Sequence, residues 1–216
     1  MTHQSRISVG ILAVLLFLVL PIAVSAQQLR IVDEGSTAIN PTKYRAYYGK
    51  LSGEPHDFTF TVDEETPVKF VLLVPDVPDA NTQVSATLVD VKNPQGVFIP
   101  GDGTLTEWQR FFDTAGRDSY LAGPTLEANL PPSEYRVQVS SAADDAQYVL
   151  VVAGDSSFSL LETFRRYGTV PAIKSDFFGK SAAEAYLTPL LLWPIFGLLI
   201  LAALAIFVMM VYRRGR

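Results

Sequence analysis

Residues 57–74 read DFTFTVDEETPVKFVLLV, and this stretch decides the fold class of the 216-residue chain. Between positions 58 and 62, apolar side chains alternate with threonine, which is typical of a β-strand that buries one face. The acidic run at 63–65 then interrupts the pattern as a turn. Residues 68–74 are apolar at nearly every position, which predicts a strand that is covered on both faces.

Similar alternation recurs at residues 83–91, 135–139 and 148–152. Clusters of Gly, Pro, Asn, Asp and Ser separate the runs at 52–55, 75–81, 93–96, 100–103, 131–133 and 143–145. Short alternating strands with regular turn signals predict an all-β antiparallel sandwich over residues 27–157. Burial of one face of each strand against the opposite sheet supplies most of the stability of such a domain.

Four short motifs occur in a fixed order along these runs. They are Gly49-Lys50-Leu51, an Asp followed by an aromatic strand at 57–62, an L-x-D-x-x-x-P-x-G-like turn at 88–96, and a Tyr-x-Val-x-Val strand at 135–139. This order resembles the prepeptidase C-terminal (PPC-like) family of bacterial β-sandwich domains, over about half of the chain. The resemblance implies an adhesive, substrate-binding or protein-interaction accessory rather than an enzyme.

The N-terminus has the pattern of a secretory signal peptide. Arg6 precedes a 12-residue apolar run at 9–20, Pro21 ends the run, and small residues at 24–26 offer a cleavage site. We therefore expect residues 1–26 to be a cleaved signal peptide. The alternative is an uncleaved first transmembrane helix, for which the run is short against a hydrocarbon core of about 30 Å.

A second apolar run, residues 190–211, contains no charged residue. At about 1.5 Å per residue it extends roughly 33 Å, which is enough to cross a bilayer. A buried core helix is the alternative, but few core helices of this length are apolar all round. We predict a transmembrane helix at 190–212 and a cytoplasmic tail at 213–216, because positive flanks stay in the cytoplasm. The expected membrane anchors are Trp193, Tyr212, Arg213, Arg214 and Arg216.

Residues 27–189 carry 13 basic and 22 acidic side chains, a net charge of −9 with histidine neutral. This surface is a poor fit to nucleic acid, which requires a basic footprint, and to anionic lipid headgroups. The expected partners are the lipid bilayer around the helix and a protein in the membrane or envelope. Because the chain has no cysteine, disulfides, thiol nucleophiles and thiolate metal sites are excluded. No cofactor is predicted.

Residues 158–189 lie between the predicted sandwich and the predicted transmembrane helix. The spacing of Ser159 and Glu162 predicts a capping box and a short helix that ends at Gly168. The same capping pattern recurs at 181–184, and the phenylalanines at 177–178 are candidates for the membrane interface. The segment is either a membrane-surface collar, a docking site for a partner, or a partly folded helical spacer, and the spacer is preferred because no amphipathic stripe is long enough to bind a membrane strongly.

Residues that could carry catalysis or bind metal are few. His56 is the one histidine after the predicted signal peptide, and without a G-x-S-x-G motif it is interpreted as an exposed turn residue. One histidine and no cysteine cannot supply a usual zinc site. Loop carboxylates are candidate calcium ligands, with solvated turn carboxylates as the preferred interpretation. They are Asp76, Asp79, Asp90, Asp102, Asp144 and Asp145.

One aromatic cluster is a candidate binding site. It consists of Trp108, Arg110, Phe111 and Phe112. These side chains could form a surface patch for a glycan or a protein, or belong to the core of a strand, and the core is preferred because large aromatic side chains usually bury most of their area. The predicted function is a non-enzymatic, membrane-anchored binding or assembly module outside the cytoplasm, such as an accessory subunit of an envelope complex. A glycan- or calcium-binding surface domain is the alternative.

Overall fold

The computed structural model describes residues 28–33, 35–94, 98–143, 145–155 and 160–214. The strands of these residues are β1 (Gln28–Ile31), β2 (Ser36–Ala38), β3 (Arg45–Leu51), β4 (His56–Val62), β5 (Thr66–Pro75), β6 (Val84–Asp90), β7 (Phe98–Gly101), β8 (Gln109–Asp113), β9 (Asp118–Leu130), β10 (Ser133–Ser141) and β11 (Ala146–Ala153). The helices are α1 (Leu160–Phe178), a 3-10 helix (Ala182–Leu187) and α2 (Pro189–Arg214).

The strands form two sheets. The six-stranded sheet has the order β1-β3-β11-β5-β9-β8, and the five-stranded sheet has the order β2-β4-β10-β6-β7. The short strands β1 and β2 pair in parallel with β3 and β4, and the other strand pairs are antiparallel. The predicted fold class, a mostly antiparallel sandwich with one C-terminal apolar helix, is confirmed.

The core between the sheets is built from the alternating residues that the periodicity predicts. On β4, Phe58 and Phe60 are almost fully buried, and the Phe60 ring stacks on Tyr135 of β10 at a centroid distance of 5.6 Å. Phe70 and Leu72 of β5 close the core from the six-stranded sheet. Burial of each such side chain contributes roughly 1.5–3 kcal/mol, so this layer supplies the main stabilisation of the sandwich.

A second apolar cluster covers the outer face of the six-stranded sheet. Leu73 of β5 and Tyr48 of β3 pack there against Ile173 and Phe177 of α1. The prediction that β5 is covered on both faces is therefore correct, and the cover is α1. The partly folded spacer expected in this part of the chain is replaced by a helix packed on the sandwich. The phenylalanines at 177–178 belong to that helix and are buried on its sheet-facing side instead of lying at a membrane interface.

The end predicted for this helix at Gly168 is wrong, because α1 continues for ten residues beyond it and through Pro171. A glycine and a proline inside a helix cost about 1 and 3 kcal/mol. The buried side chains that follow them on the sheet-facing side are Val170, Ile173, Phe177 and Phe178. Their burial contributes about 6–12 kcal/mol, which exceeds that cost.

The C-terminal elements follow α1 closely. Ser181 caps the 3-10 helix, with Glu184 completing the predicted capping box. Within the described residues, α2 is the one helix long and apolar enough to cross a membrane, over Pro189–Met210 with a mean hydropathy of 2.7. The signal peptide, Ser159, Asp144 and Arg216 lie outside the described residues, as do the side chains of Tyr212 and Arg214. The limits of the domains remain predictions.

Candidate interaction surface

Strand β8 contains three of the four predicted binding residues and forms an edge of the six-stranded sheet. Among the residues that the structure describes, its one partner in that sheet is β9, so its other side offers backbone N–H and C=O groups to a neighbouring strand. Phe111 and Phe112 are 49% and 53% exposed. The preference for a core position is therefore wrong for these two rings, because they lie on an edge strand that the opposite sheet does not cover.

Trp108 precedes β8 and is half-buried against the sandwich core. Its indole Nε1 donates to the carbonyl of Gly103 at 2.8 Å, and its ring lies over Gly123, where any β-carbon would collide with it. Arg110 is exposed, and its Nε lies 2.6 Å from Oδ2 of Asp76. The structure thus assigns Trp108 to the support of the edge, while Arg110, Phe111 and Phe112 present its surface.

An aromatic series connects this edge with α1. Phe111 is opposite Tyr120 of β9, with ring centroids 6.4 Å apart. Tyr120 contacts Phe178 edge-on at 5.3 Å, and its hydroxyl lies 2.8 Å from that of Tyr48. Burial raises the pKa of both tyrosines, so both hydroxyls stay protonated at neutral pH and one can donate to the other.

A buried ion network fixes the turn between β8 and β9 to α1. The Lys174 ammonium donates to Oδ1 of Asp118 and to the carbonyl of Gly116, both at 2.6 Å. The ammonium of Lys180 also donates to Oδ1 of Asp118, at 2.9 Å. Local sequence patterns did not predict this network. The sequence feature that indicates it is Lys174, a charged residue that directly follows the apolar Ile173 on the sheet-facing side of α1.

A second ion pair holds the start of α1 on β1. The Arg30 guanidinium donates to both carboxylate oxygens of Glu162, at 2.7 and 2.8 Å. These hydrogen bonds lower the pKa of the Glu162 carboxyl below its usual value. Bidentate geometry of this kind fixes the orientation of the two side chains as well as strengthening the pair. Together with the Lys174 network near the other end, it fastens both ends of α1 to the sandwich.

The first turn of α2 is also docked on the sandwich. The backbone N–H of Leu190 donates to the carbonyl of Ala115, in the turn after β8, at 3.3 Å. The Tyr167 hydroxyl of α1 donates to the carbonyl of Leu191 at 3.2 Å, and Leu191 is fully buried. The apolar helix therefore leaves the sandwich from a packed junction beside the β8 edge.

His56 lies in the core and not in an exposed turn, which corrects the prediction. It begins β4, its Nδ1 is 2.8 Å from the Tyr148 hydroxyl, and it is 2% exposed. Its neighbour Asp57 accepts hydrogen bonds from Gln138 and Arg136. The ring is thus engaged by a core tyrosine, and the adjacent carboxylate is engaged by side chains of β10.

The candidate calcium ligands are dispersed. The part of the chain that the structure describes contains no group of three or more His, Cys, Asp or Glu residues placed to hold a metal ion. The Asp90 carboxylate accepts from Ser133 and from two backbone N–H groups, and the pKa of Asp90 is lowered chiefly by the Ser133 hydrogen bond. Asp102 caps its own turn through Thr104.

These features define a two-sheet β-sandwich with an apolar helix docked at one edge. No family model and no curated protein matches the chain. Among solved structures, the chain is similar to the pre-peptidase C-terminal domain of a collagenase from Bacillus anthracis, with 14% identity, a TM-score of 0.33, and coverage of 55% of this chain and 94% of that one. It is also similar to PliG of Aeromonas hydrophila, a periplasmic inhibitor of g-type lysozyme, with 10% identity, a TM-score of 0.34, and coverage of 58% and 96%. The first similarity agrees with the weak, partial resemblance expected from the sequence.

Proposed function

We propose that the protein is a non-enzymatic binding or assembly module, anchored by α2 in a membrane with its sandwich outside the cytoplasm, and that it serves as an accessory subunit of an envelope complex. One observation carries this proposal: the exposed aromatic edge strand β8 lies beside the junction from which the apolar helix leaves the sandwich. A free strand edge with exposed aromatic residues suits a protein partner, since main-chain pairing gives affinity and the aromatic rings give specificity.

The position of the edge restricts the partner. Because α2 begins directly at the sandwich, the edge is held close to the bilayer, so the partner is a membrane protein or one that lies on the membrane. Arg110 at the edge adds a charged group that acidic or polar side chains at the margin of the partner's binding surface would contact. The side chains assigned to the partner are Arg110 and Phe111.

Isolation of the full chain in mild detergent tests this function. We expect the native chain to run as a complex heavier than the chain alone, and Phe111→Ser to release the partner. Leu105→Ser is the matched control, because Leu105 is 86% exposed and lies in the loop before β8. Circular dichroism verifies that both variants fold. A native chain that runs alone, or equal release by both variants, would contradict the proposal.

Glycan binding is the second candidate function, because Phe111 and Phe112 present half-exposed rings beside an arginine. It predicts retention of the chain on a glycan array, with the signal lost in Phe111→Ser. Co-purification of a protein that Phe111→Ser releases, with no array signal, would decide against it.

A further inference from the structure

A groove lies between the hairpin of β8 and β9 and the first three turns of α2. It encloses about 630 Å³. Phe112, Thr114 and Arg117 line it from the hairpin, and Leu187, Trp193 and Phe196 line it from the helices. The wall is mainly apolar, and Arg117 is a charged exception.

The groove crosses the level at which the hydrocarbon of a bilayer begins. Counting back from Tyr212, next to the basic end of α2, the 20 residues to Trp193 extend about 30 Å, the thickness of a hydrocarbon core. Trp193 is 61% exposed, and an exposed tryptophan at this level is typical of the membrane interface. Phe196 then lies about 4–5 Å inside the hydrocarbon, and Leu187 lies outside it.

The hairpin end of the groove presents the exposed cation Arg117, although residues 27–189 are acidic as a whole. Arg117 is exposed, and the ammonium of Lys180 lies 3.3 Å from its carbonyl oxygen. Lys174 and Lys180 share the single carboxylate of Asp118, and the Asp113 carboxylate accepts from two backbone N–H groups of the turn. The carboxylates of this turn are therefore engaged by partners of their own, and Arg117 is the exposed cation that the lining of the groove offers to a phosphate.

We propose that the groove binds a phospholipid of the leaflet that faces the sandwich, with an acyl chain against Phe112, Trp193 and Phe196 and the phosphate near Arg117. The proposal rests on the proposed membrane span of α2. The groove is continuous with the exposed apolar surface of that helix, where Leu198 and Leu199 are 59% and 60% exposed. Acyl chains that surround α2 therefore reach the groove without crossing water.

Single-cysteine labelling tests this site, because the chain contains no cysteine. Phe112→Cys carries a nitroxide in full-length protein reconstituted in phosphatidylcholine and phosphatidylglycerol vesicles. Electron paramagnetic resonance then compares the accessibility of the label to oxygen and to a water-soluble nickel chelate. Phe207→Cys reports on the middle of α2, and Leu105→Cys reports on an exposed loop. We expect the label at 112 to favour oxygen, as at 207, and the label at 105 to favour the chelate.

The outcomes separate this proposal from membrane anchoring. If the label at 112 is more accessible to the chelate while the label at 207 is more accessible to oxygen, the lipid site is overturned and the anchor is left intact. A label that favours the chelate at 207 overturns the anchor itself. A label at 112 shielded from both reagents in native membranes, but exposed to the chelate in vesicles of the purified protein, means that a protein fills the groove, which also overturns the lipid site.

The phosphate contact is tested separately by the lipid phosphorus retained per chain after detergent exchange. We expect Arg117→Gln to retain severalfold less phosphatidylglycerol than the native protein. Arg136→Gln, on β10 of the five-stranded sheet and outside the groove, is expected to retain as much as the native protein. Equal retention by both variants would overturn the assignment of Arg117.

Discussion

Lys174 occupies a position on α1 where the helix faces the six-stranded sheet, and its side chain is 2% exposed. A buried ammonium is stable only with partners, and Asp118 and the Gly116 carbonyl supply them. Both partners lie in or next to the turn between β8 and β9, so a single side chain determines how that turn sits on the helix. The effect reaches the groove, because Arg117 lies between the two partners in sequence.

Removal of the shared carboxylate is expected to cost more than removal of the buried lysine. Asp118→Asn leaves Lys174 buried without a counter-charge and lowers the free energy of unfolding by about 3–5 kcal/mol. Lys174→Met costs less, because Lys180 still pairs with Asp118. Urea unfolding of the full chain in detergent, monitored by circular dichroism, measures both changes. Equal losses would contradict this order, and a neutral Asp118→Asn would show that the network does not hold the helix.

At the scale of elements, α1 acts as a third layer on the sandwich. It packs on the outer face of the six-stranded sheet, is fastened at its start by the Arg30–Glu162 pair, and is followed directly by the 3-10 helix and α2. A helix of 19 residues is held here by tertiary burial and not by propensity, since it contains both a glycine and a proline.

Two phenylalanines of α1 form a matched pair for testing this layer. Phe177 is 3% exposed, and Phe164 is 64% exposed. We expect Phe177→Ala to lower the free energy of unfolding by about 3–5 kcal/mol, the cost of a large cavity. Phe164→Ala is expected to change it by less than about 0.5 kcal/mol. Similar values for the two variants would mean that α1 is not packed on the sheet as described.

Local sequence predicts most strands and misses much of what surrounds them. The strands at 58–62 and 135–139 could be predicted because alternation of apolar residues follows from burial of one face. The exposure of Phe111 and Phe112 could not, because it depends on the order of strands in the sheet, which short-range patterns do not contain. The length of α1 was missed for a related reason: Gly168 and Pro171 signal a helix end locally, and burial against distant strands outweighs that signal. The role of the four aromatic-cluster residues in binding remains a prediction.

For the whole molecule, the arrangement follows from the packed junction between the sandwich and α2. Leu190 and Leu191, the first residues of the apolar run, are buried by the protein itself. The sandwich is thus in direct contact with the helix that could cross the membrane. Its acidic surface, away from the groove, favours solubility over adhesion to anionic lipid.

Extraction and protease accessibility test the overall topology. We expect the chain to stay with vesicles during washing with alkaline carbonate, because a helix of this hydropathy is held by its apolar surface. In spheroplasts, an added protease is expected to remove the sandwich while a tag placed after Arg216 stays protected. Release by carbonate would contradict the anchor, and cleavage of the tag with survival of the sandwich would reverse the orientation.

The docked first turn of α2 has a consequence for how the protein meets its ligands. A domain on a flexible linker takes up many heights and orientations relative to the membrane. In this protein, a backbone hydrogen bond between Leu190 and Ala115 holds the sandwich against the start of α2. With α2 in a membrane, as proposed, the protein would diffuse in two dimensions with its aromatic edge at a constant height above the lipid. Encounters would then be restricted to ligands that present a matching surface at that same height, which would select them by geometry before any side chain is compared.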